Sequence, residues 1–191
     1  MHRSDTVQVV SLDFSVQAAV VDRRGGVDRV GIMTTYVFAV DGTAFRVSEH
    51  RLAEISRYVW YAEWHEKVRS SRAFTLVDKR KIYLHRMITN AQPGQEVDHI
   101  DHDMTNNEDA NLRLCTHAEN VANARKRRNT TSRFKGVYWE KERQKWVAGI
   151  RLEDNKWHKL GRFDNEEDAA RAYQRAAQER WGEFAYTPGL V

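Results

Sequence analysis

The sequence has few of the residues that form covalent cross-links or interrupt helices and strands. Its 191 residues include 1 Cys and 2 Pro. The single Cys115 excludes a disulfide framework and a cysteine-based zinc site, and it indicates a reducing compartment. No run approaches the ~20 apolar residues that a membrane-spanning helix needs, and the first residues lead into no apolar core of a signal peptide. We therefore expect a cytoplasmic protein that is neither secreted nor bound to a membrane.

Positive charge is concentrated in one stretch of the chain. The formal net charge is +4, but residues 121–162 hold 13 Lys and Arg against 4 Asp and Glu, while both flanking segments are net negative. A local basic excess interleaved with aromatic residues is typical of a surface that binds a polyanion. A solvated basic face without a partner is the alternative interpretation.

The N-terminal part, residues 7–74, predicts mostly strands, with one short helix. Residues 1–42 contain β-branched, apolar runs such as VQVVSL and VGIMTTYVFAV, which favour strands. Ser48 is a predicted N-cap for a helix that includes Leu52 and Ile55. We interpret the aromatic residues of this part as core, and no pattern in it indicates chemistry.

The block from about residue 81 to residue 124 predicts the order strand, polar loop, strand and helix. EVDHI and NLRLCT are the predicted strands, and the loop between them is rich in Asp and Asn. Thr116 and Glu119 form a capping-box pattern that begins the helix. This order would bring the end of the first strand next to the helix.

The residue types of this block suit metal-assisted hydrolysis of a phosphodiester. That reaction needs a base to activate water and a cation to stabilise developing charge. Histidine, here His99, is the side chain whose unperturbed pKa lies near neutrality, and Asp98 and Asn120 offer oxygen ligands suited to Mg²⁺. Because neighbouring strand residues point to opposite faces, Asp98 and His99 can share a site only if the strand ends or bulges there.

The same block resembles the HNH, or ββα-metal, endonucleases, especially the homing type of phages and introns. The resemblance lies in YLHRMI, P-G-x-x-VDHID-x-D, NN-x-x-x-NLR and T-x-x-EN, with a lead-in from about Thr43. It implies His99 as general base, Asp98 and Asn120 as metal ligands, and Asn111 as a brace of the loop that orients His99. It also implies Mg²⁺ or Mn²⁺ as the cofactor, with no zinc.

Several positions of the resemblance have a less direct meaning. His85 and Arg86 fall on the family's L-H-R motif, to which we assign packing or phosphate contact rather than catalysis. His102 stands where the family usually has Gly. Asn120 stands where many relatives have a metal-binding His, and this difference favours an oxygen-rich site.

Residues 133–187 predict a three-stranded sheet crossed by one helix. FKGVYWE, KWVAGIR and WHKLGRF are the strands, and Asn165 caps a helix from Glu166 to about Trp181. Alternation along KWVAGIR separates an apolar face, which would pack on the helix, from a basic face.

This C-terminal block resembles the plant-type AP-two/ERF DNA-binding domain. The matching segments are K-G-V, W-x-A-x-I-R, L-G-x-F and A-A-x-A-Y-x-x-A-A. The resemblance implies that cationic and planar side chains of the sheet contact double-stranded DNA, namely Lys135, Tyr138, Arg143, Lys145, Arg151, Trp157 and Lys159.

The blocks together predict an α+β protein with a nuclease domain and a DNA-binding domain. We expect a β-rich segment of unassigned role at 1–42, the HNH domain with its lead-in at 43–124, a basic linker at 125–132 and the DNA-binding domain at 133–187. The predicted function is a monomeric homing-type endonuclease that nicks or cleaves DNA with a divalent metal and no small-molecule cofactor. Two alternatives stay open: a DNA-binding regulator with a degenerate nuclease fold, and an RNA-directed or phage-packaging nuclease.

Overall fold

The computed structural model describes residues 7–12, 16–22, 33–66, 68–126, 130–152 and 156–186. The chain divides into two compact units, residues 1–114 and 115–191. Both units contain strands and helices, in agreement with the predicted α+β class. Among the described residues, no helix is both long and apolar enough to cross a membrane.

The first unit contains three small sheets and two short α-helices within its described part. Its elements in chain order are β1 (Val7–Leu12), β2 (Val16–Asp22), β3 (Met33–Phe38), β4 (Ala44–Val47), α1 (Leu52–Ile55), β5 (Tyr61–His65), β6 (Ser70–Val77), β7 (Arg80–Tyr83), α2 (Leu84–Thr89), β8 (Glu96–His99), β9 (Asn106–Asn107) and β10 (Leu112–Cys115).

The largest sheet of this unit joins the N-terminal strands to the polar loop. Its strand order is β1-β2-β3-β4-β9, and β9 runs parallel to β4, with Arg46 opposite Asn106. The N-terminal runs predicted as strands are confirmed. Since β3 pairs with β4, this sheet crosses the predicted boundary at residue 42. The other two sheets are β5-β6-β7 and the pair β10-β8.

The core of the first unit is apolar and holds part of the expected aromatic set. Phe45 and Trp60 are buried among Val37, Ile55 and Leu84, as predicted. By contrast, two other aromatic side chains of this region are exposed, Tyr61 by 38% and Trp64 by 58%. The core interpretation of these two residues is therefore wrong.

Ser48 does not cap the helix as predicted. A 3-10 turn at Glu49–Arg51 precedes α1, and the Ser48 side chain makes no cap hydrogen bond. Instead, the backbone N–H of Asp109 donates to Ser48 Oγ at 2.9 Å. The hydroxyl is used by a partner 61 residues away, which a local cap pattern does not reveal.

The second unit has the predicted sheet crossed by one long helix. Residues 127–129 of the predicted linker lie outside the described residues. The apolar positions Ala148 and Ile150 pack with Ala169, Tyr173 and Ala177 of the helix, which confirms the predicted alternation. Its elements are α3 (His117–Asn123), β11 (Val137–Glu140), β12 (Lys145–Arg151), β13 (Trp157–Phe163) and α4 (Glu166–Trp181), with sheet order β11-β12-β13.

Candidate functional site: a hydrolytic centre and a basic sheet face

Asp98 and His99 lie together at the end of β8. Both residues belong to this strand, which ends at His99. Their side chains have different partners: Arg113 for Asp98, and Asn107 and His85 for His99. Asp98 is 5% exposed and His99 is 9% exposed. A carboxylate and an imidazole at such depth need polar partners, and the structure supplies them from two neighbouring segments.

Asp98 forms a buried ion pair with Arg113 of β10. Arg113 Nε and Nη2 both donate to Asp98 Oδ2, at 2.9 and 2.7 Å. The two side chains are only 12% and 5% exposed. Arg113 belongs to the NLR motif, but the sequence pattern indicated no role for it. The pairing of β8 with β10 places it on the carboxylate.

Asn111 braces the polar loop between β8 and β10. Its Nδ2 donates to Asp101 Oδ1 at 2.9 Å and to the Asn106 carbonyl at 2.8 Å, and its Oδ1 accepts from the Asp101 N–H at 3.0 Å. The Ile100 N–H donates to the Asn111 carbonyl at 2.9 Å. One side chain therefore holds both ends of the loop that follows His99.

Asp101 is the central acceptor of this loop. Burial alone would raise the pKa of its carboxyl, but hydrogen bonds from Asn106, the Asp103 N–H and Asn111 lower it below the usual value. The loop also passes through His102 in the left-handed region, at φ +63°. Glycine, which has no Cβ, adopts that conformation most readily. This is a physical reason why the family that the sequence resembles usually has Gly at this position.

Two side chains position the His99 ring, and neither was assigned to it by sequence reasoning. The ring shares a hydrogen bond with the side chain of Asn107, which is 1% exposed. The His85 ring meets it edge to face, with centroids 5.4 Å apart. Orientation of His99, which sequence analysis assigned to Asn111, therefore involves Asn107 and His85. The repeated NN of the motif was the available signal for Asn107.

Burial lowers the pKa of both imidazoles, which favours their neutral forms. It lowers the pKa of His99, although the bond with Asn107 and the nearby carboxylates oppose it. It lowers the pKa of His85 to about 3. A neutral imidazole retains the lone pair that a general base needs.

Arg86 of the L-H-R motif donates to the carbonyls of Ala91, Gln92 and Gln95 and so fixes the turn after α2.

The Asp98 carboxylate is an oxygen donor that could take part in a divalent-metal site. Among the described residues, no group of three or more His, Cys, Asp and Glu side chains is arranged to hold a metal. Mg²⁺ is commonly held by one or two carboxylates together with substrate phosphate and water, and the Asp98 carboxylate suits that arrangement.

Asn120 belongs to the second unit and lies on α3. The predicted capping box is confirmed: Glu119 N donates to Thr116 Oγ1 at 3.3 Å, and Thr116 N donates to Glu119 Oε2 at 2.7 Å. The box fixes where the helix begins, so Asn120 occupies its fourth position, half-buried.

Five of the seven predicted DNA-binding residues lie on the outer face of the C-terminal sheet. Trp157 packs against Gly149, where a Cβ would lie 2.4 Å from the ring. A register shift between Ala148 and Gly149 accompanies this contact. The Tyr138 and Trp157 rings lie 6.2 Å apart. The strand register places five residues on this face: Tyr138, Lys145, Arg151, Trp157 and Lys159.

Carboxylates already engage several cations of this face. Glu140 accepts from Arg162 Nε at 2.5 Å and Nη2 at 3.1 Å, and Arg143 lies 3.8 Å from it. Arg162, which pairs with Val147 in the sheet, was not predicted as a site residue. Lys145 pairs with Asp164. A phosphate group could therefore replace a carboxylate as the partner of these cations.

Lys135 is directed at α3 rather than at the outer face. Its Nζ donates to the carbonyls of Val121, Ala122 and Ala124 at 3.0, 2.6 and 2.7 Å. These carbonyls end the helix, where backbone acceptors lack partners within the helix. Burial lowers the pKa of Lys135 to about 8. The predicted DNA contact of Lys135 therefore competes with a capping role that occupies its ammonium.

Comparisons with known proteins match two families to separate segments of the chain. The family model for HNH endonuclease matches residues 83–122, and the model for the AP2 domain matches residues 132–183. An uncharacterized HNH endonuclease of Acanthamoeba polyphaga mimivirus is 34% identical over 150 residues, which is 75% of this chain and 74% of the relative. Protein 3.8 of Escherichia phage T7 is 37% identical over 92 residues, 48% of this chain and 74% of that protein. No solved structure matches the chain.

Proposed function

The chain belongs to the HNH endonuclease family and carries an AP2 domain, and from this premise we propose that it is a homing-type DNA endonuclease. It hydrolyses DNA phosphodiester bonds at the His99 centre and binds double-stranded DNA through the outer face of the C-terminal sheet. The observation that carries the proposal is the pair of adjacent buried residues at the end of β8, the His99 imidazole and the Asp98 carboxylate.

His99 acts as the general base in this proposal. Its imidazole takes the proton from the attacking water, and burial favours the unprotonated ring at neutral pH. Asn107 and His85 hold the ring in place, while Asn111 keeps the following loop closed on β8. The departing 3′-oxygen takes up a proton from solvent, and His99 releases its proton to solvent after hydrolysis.

Asp98 and Asn120 would hold the divalent cation, Mg²⁺ or Mn²⁺. Such a cation supplies charge stabilisation of the phosphate and of the departing 3′-oxygen. Arg113 fixes the position of the Asp98 carboxylate through two hydrogen bonds. HNH nucleases generally use a divalent metal, and an oxygen-rich donor set favours a hard one.

A second candidate function is a DNA-binding protein whose nuclease fold no longer cuts. The Asp98–Arg113 ion pair favours it, because it gives the expected ligand a resident cationic partner. In that case Arg113 would replace the metal rather than prepare its ligand. Both candidates predict DNA binding, so only cleavage separates them.

Plasmid cleavage with Mg²⁺ or Mn²⁺ tests the proposal. His99→Ala should cut at least about 100-fold more slowly than the parent, because a general base contributes roughly 10²–10⁴ in rate. His50→Ala is the matched control, since His50 has a 67% exposed side chain in the same unit. DNA binding in a gel-shift assay should be equal in all three.

Equal cutting by His99→Ala and the parent would refute the assigned base. Absence of cutting by the parent on duplex DNA, with either metal, would favour the second candidate. Cleavage of structured RNA in preference to duplex DNA would instead support the RNA-directed alternative. Mapping the cut ends on DNA distinguishes a nick from a double-strand break.

A further inference from the structure

One face of the sheet β5-β6-β7 gathers aromatic rings. Tyr61 is paired with Phe74, and Phe74 is paired with Tyr83. Directly paired residues point to the same side of a sheet, so the three rings lie in one row across the strands. The opposite side carries Ala73 and Thr75, which are 1% and 3% exposed. The row of rings therefore faces away from the core.

The row continues as far as the candidate base. Tyr61 and Phe74 are stacked with centroids 5.5 Å apart, and Phe74 meets Tyr83 at 6.3 Å. Tyr83 stacks on His85 at 5.6 Å, and His85 meets His99 at 5.4 Å. Its outer end is Tyr61, which is 38% exposed. An exposed aromatic surface thus leads directly to the hydrolytic centre.

Two cations flank the rings and share a single carboxylate. Lys81 Nζ and Arg72 Nη2 donate to Glu63 at 2.6 and 2.9 Å, and the Tyr83 hydroxyl donates to the same carboxylate at 2.9 Å. Lys81 Nζ also lies 4.2 Å from the centre of the Phe74 ring. The group carries a net charge of one positive unit, which complements a phosphate.

Aromatic rings with adjacent cations are the usual composition of a single-strand binding surface. Bases stack on the rings and the cations follow the backbone. A base offers its ring face only where it is unpaired, whereas duplex DNA presents base edges in its grooves. The row of rings therefore suits unpaired bases, and the basic sheet of the second unit suits a duplex.

We propose that this aromatic face (Tyr61, Phe74, Tyr83, Arg72 and Lys81) binds unpaired bases of the DNA strand that flanks the phosphodiester at His99. The inference rests on the proposed function, since it takes DNA as the substrate of that centre. It assigns a partner to a region in which the sequence patterns indicated only core. Tyr61, at the exposed end of the row, provides the outermost stacking platform.

Strand binding by the full chain, in the His99→Ala background and without divalent metal, tests this surface. The probes are a single-stranded oligodeoxynucleotide of about 12 nucleotides containing 2-aminopurine and a hairpin duplex. Tyr61→Leu removes the exposed ring but keeps an apolar side chain. Trp64→Leu is the matched control, because Trp64 is a more exposed ring on the opposite face of the same strand.

Tyr61→Leu should bind the single strand about tenfold more weakly and lose the change in 2-aminopurine fluorescence that accompanies stacking. Tyr61→Phe should retain both, and Trp64→Leu should match the parent. Thermal unfolding of each variant shows whether the fold is kept. All affinities for the hairpin duplex should stay within a factor of two of the parent.

Equal single-strand affinities for Tyr61→Leu, Trp64→Leu and the parent would overturn the inference. An equal loss on strand and duplex would also overturn it, because general DNA contact would then explain the effect. Binding is measured in the His99→Ala variant and needs no cleavage, so this result is independent of the cleavage assay. A parent that fails to cut refutes the proposed function without changing the measured strand affinity.

Discussion

Among the polar residues of the candidate site, Arg113 has a large expected effect on stability. Its ion pair with Asp98 is deeply buried, with side chains 12% and 5% exposed. Removing one partner of such a pair leaves a buried charge uncompensated. The cost is typically about 3–5 kcal/mol, well above that of an exposed pair.

Arg113→Gln should therefore lower the free energy of unfolding by about 3 kcal/mol in the absence of divalent metal. Mg²⁺ or Mn²⁺ should restore part of the loss if Asp98 is a metal ligand, because the cation supplies the missing positive charge. Denaturant titrations with and without metal measure both effects. Arg46→Gln is the control, since its pair with Glu108 is 3.8 Å long and about a third exposed.

An Arg113→Gln variant that gains no more stability from metal than the parent would contradict the assignment of Asp98. A variant as stable as the parent without metal would show that the ion pair does not offset the burial of the carboxylate. The first result concerns the ligand and the second concerns the pair.

The residues of the centre were predictable where their partners are close in sequence. Asp98 and His99 are neighbours, and the loop that Asn111 braces begins ten residues before it. The roles that were missed depend on longer-range packing, such as Arg113 on Asp98 or the His85 ring on His99. Strand pairing and ring packing bring those groups together, and spacing alone does not encode them.

At the level of elements, Lys135 connects β11 and its preceding loop to α3. The ammonium donates to three carbonyls at the end of the helix, and the Tyr186 N–H donates to the Ala122 carbonyl at 3.2 Å. A seven-residue helix has little stability of its own. Contacts of this kind therefore decide whether α3, with Asn120, keeps its conformation.

Lys135→Met should destabilise the second unit by about 1–3 kcal/mol, because three carbonyls at the end of α3 lose a charged donor. Amide hydrogen exchange should accelerate in α3 and remain unchanged in α4. Duplex affinity should keep the salt dependence of the parent. Lys159→Met, whose side chain is exposed on the outer face, should show the reverse, with normal exchange and a weaker salt dependence.

Unchanged exchange in α3 together with a reduced salt dependence for Lys135→Met would restore the original prediction that Lys135 contacts DNA. The two measurements thus separate a helix-capping lysine from a phosphate-binding one.

Periodicity predicted the elements of the second unit well and one local feature poorly. The cap at Asn165 is present, with Oδ1 accepting from Glu167 N at 2.7 Å, and the apolar stripe of α4 is buried. The register shift at Gly149 was not predicted, because it accompanies the packing of Trp157 onto that glycine. Alternation describes a regular strand, and the ring contact acts across strands.

Across the whole chain, the basic excess and the proposed hydrolytic residues of β8 lie in different segments. The excess of Lys and Arg lies in residues 121–162, whereas β8, its loop and β10 lie in an acidic part of the chain. The family models divide the chain in the same way, at 83–122 and 132–183. α3 belongs to the second compact unit, so the helix of the HNH motif packs with the C-terminal domain.

The double variant Arg143→Gln and Lys159→Gln should weaken duplex binding without changing the maximum cleavage rate. Each exposed cation that meets a phosphate contributes ~0.9 to the slope of log affinity against log salt concentration, so the slope should fall by about 1.8. Binding titrations at several salt concentrations measure the slope, and cleavage at saturating plasmid measures the rate. An unchanged slope would remove these side chains from the DNA interface. A reduced maximum rate with normal affinity would mean that the basic sheet takes part in the hydrolytic step, against the separation argued from charge.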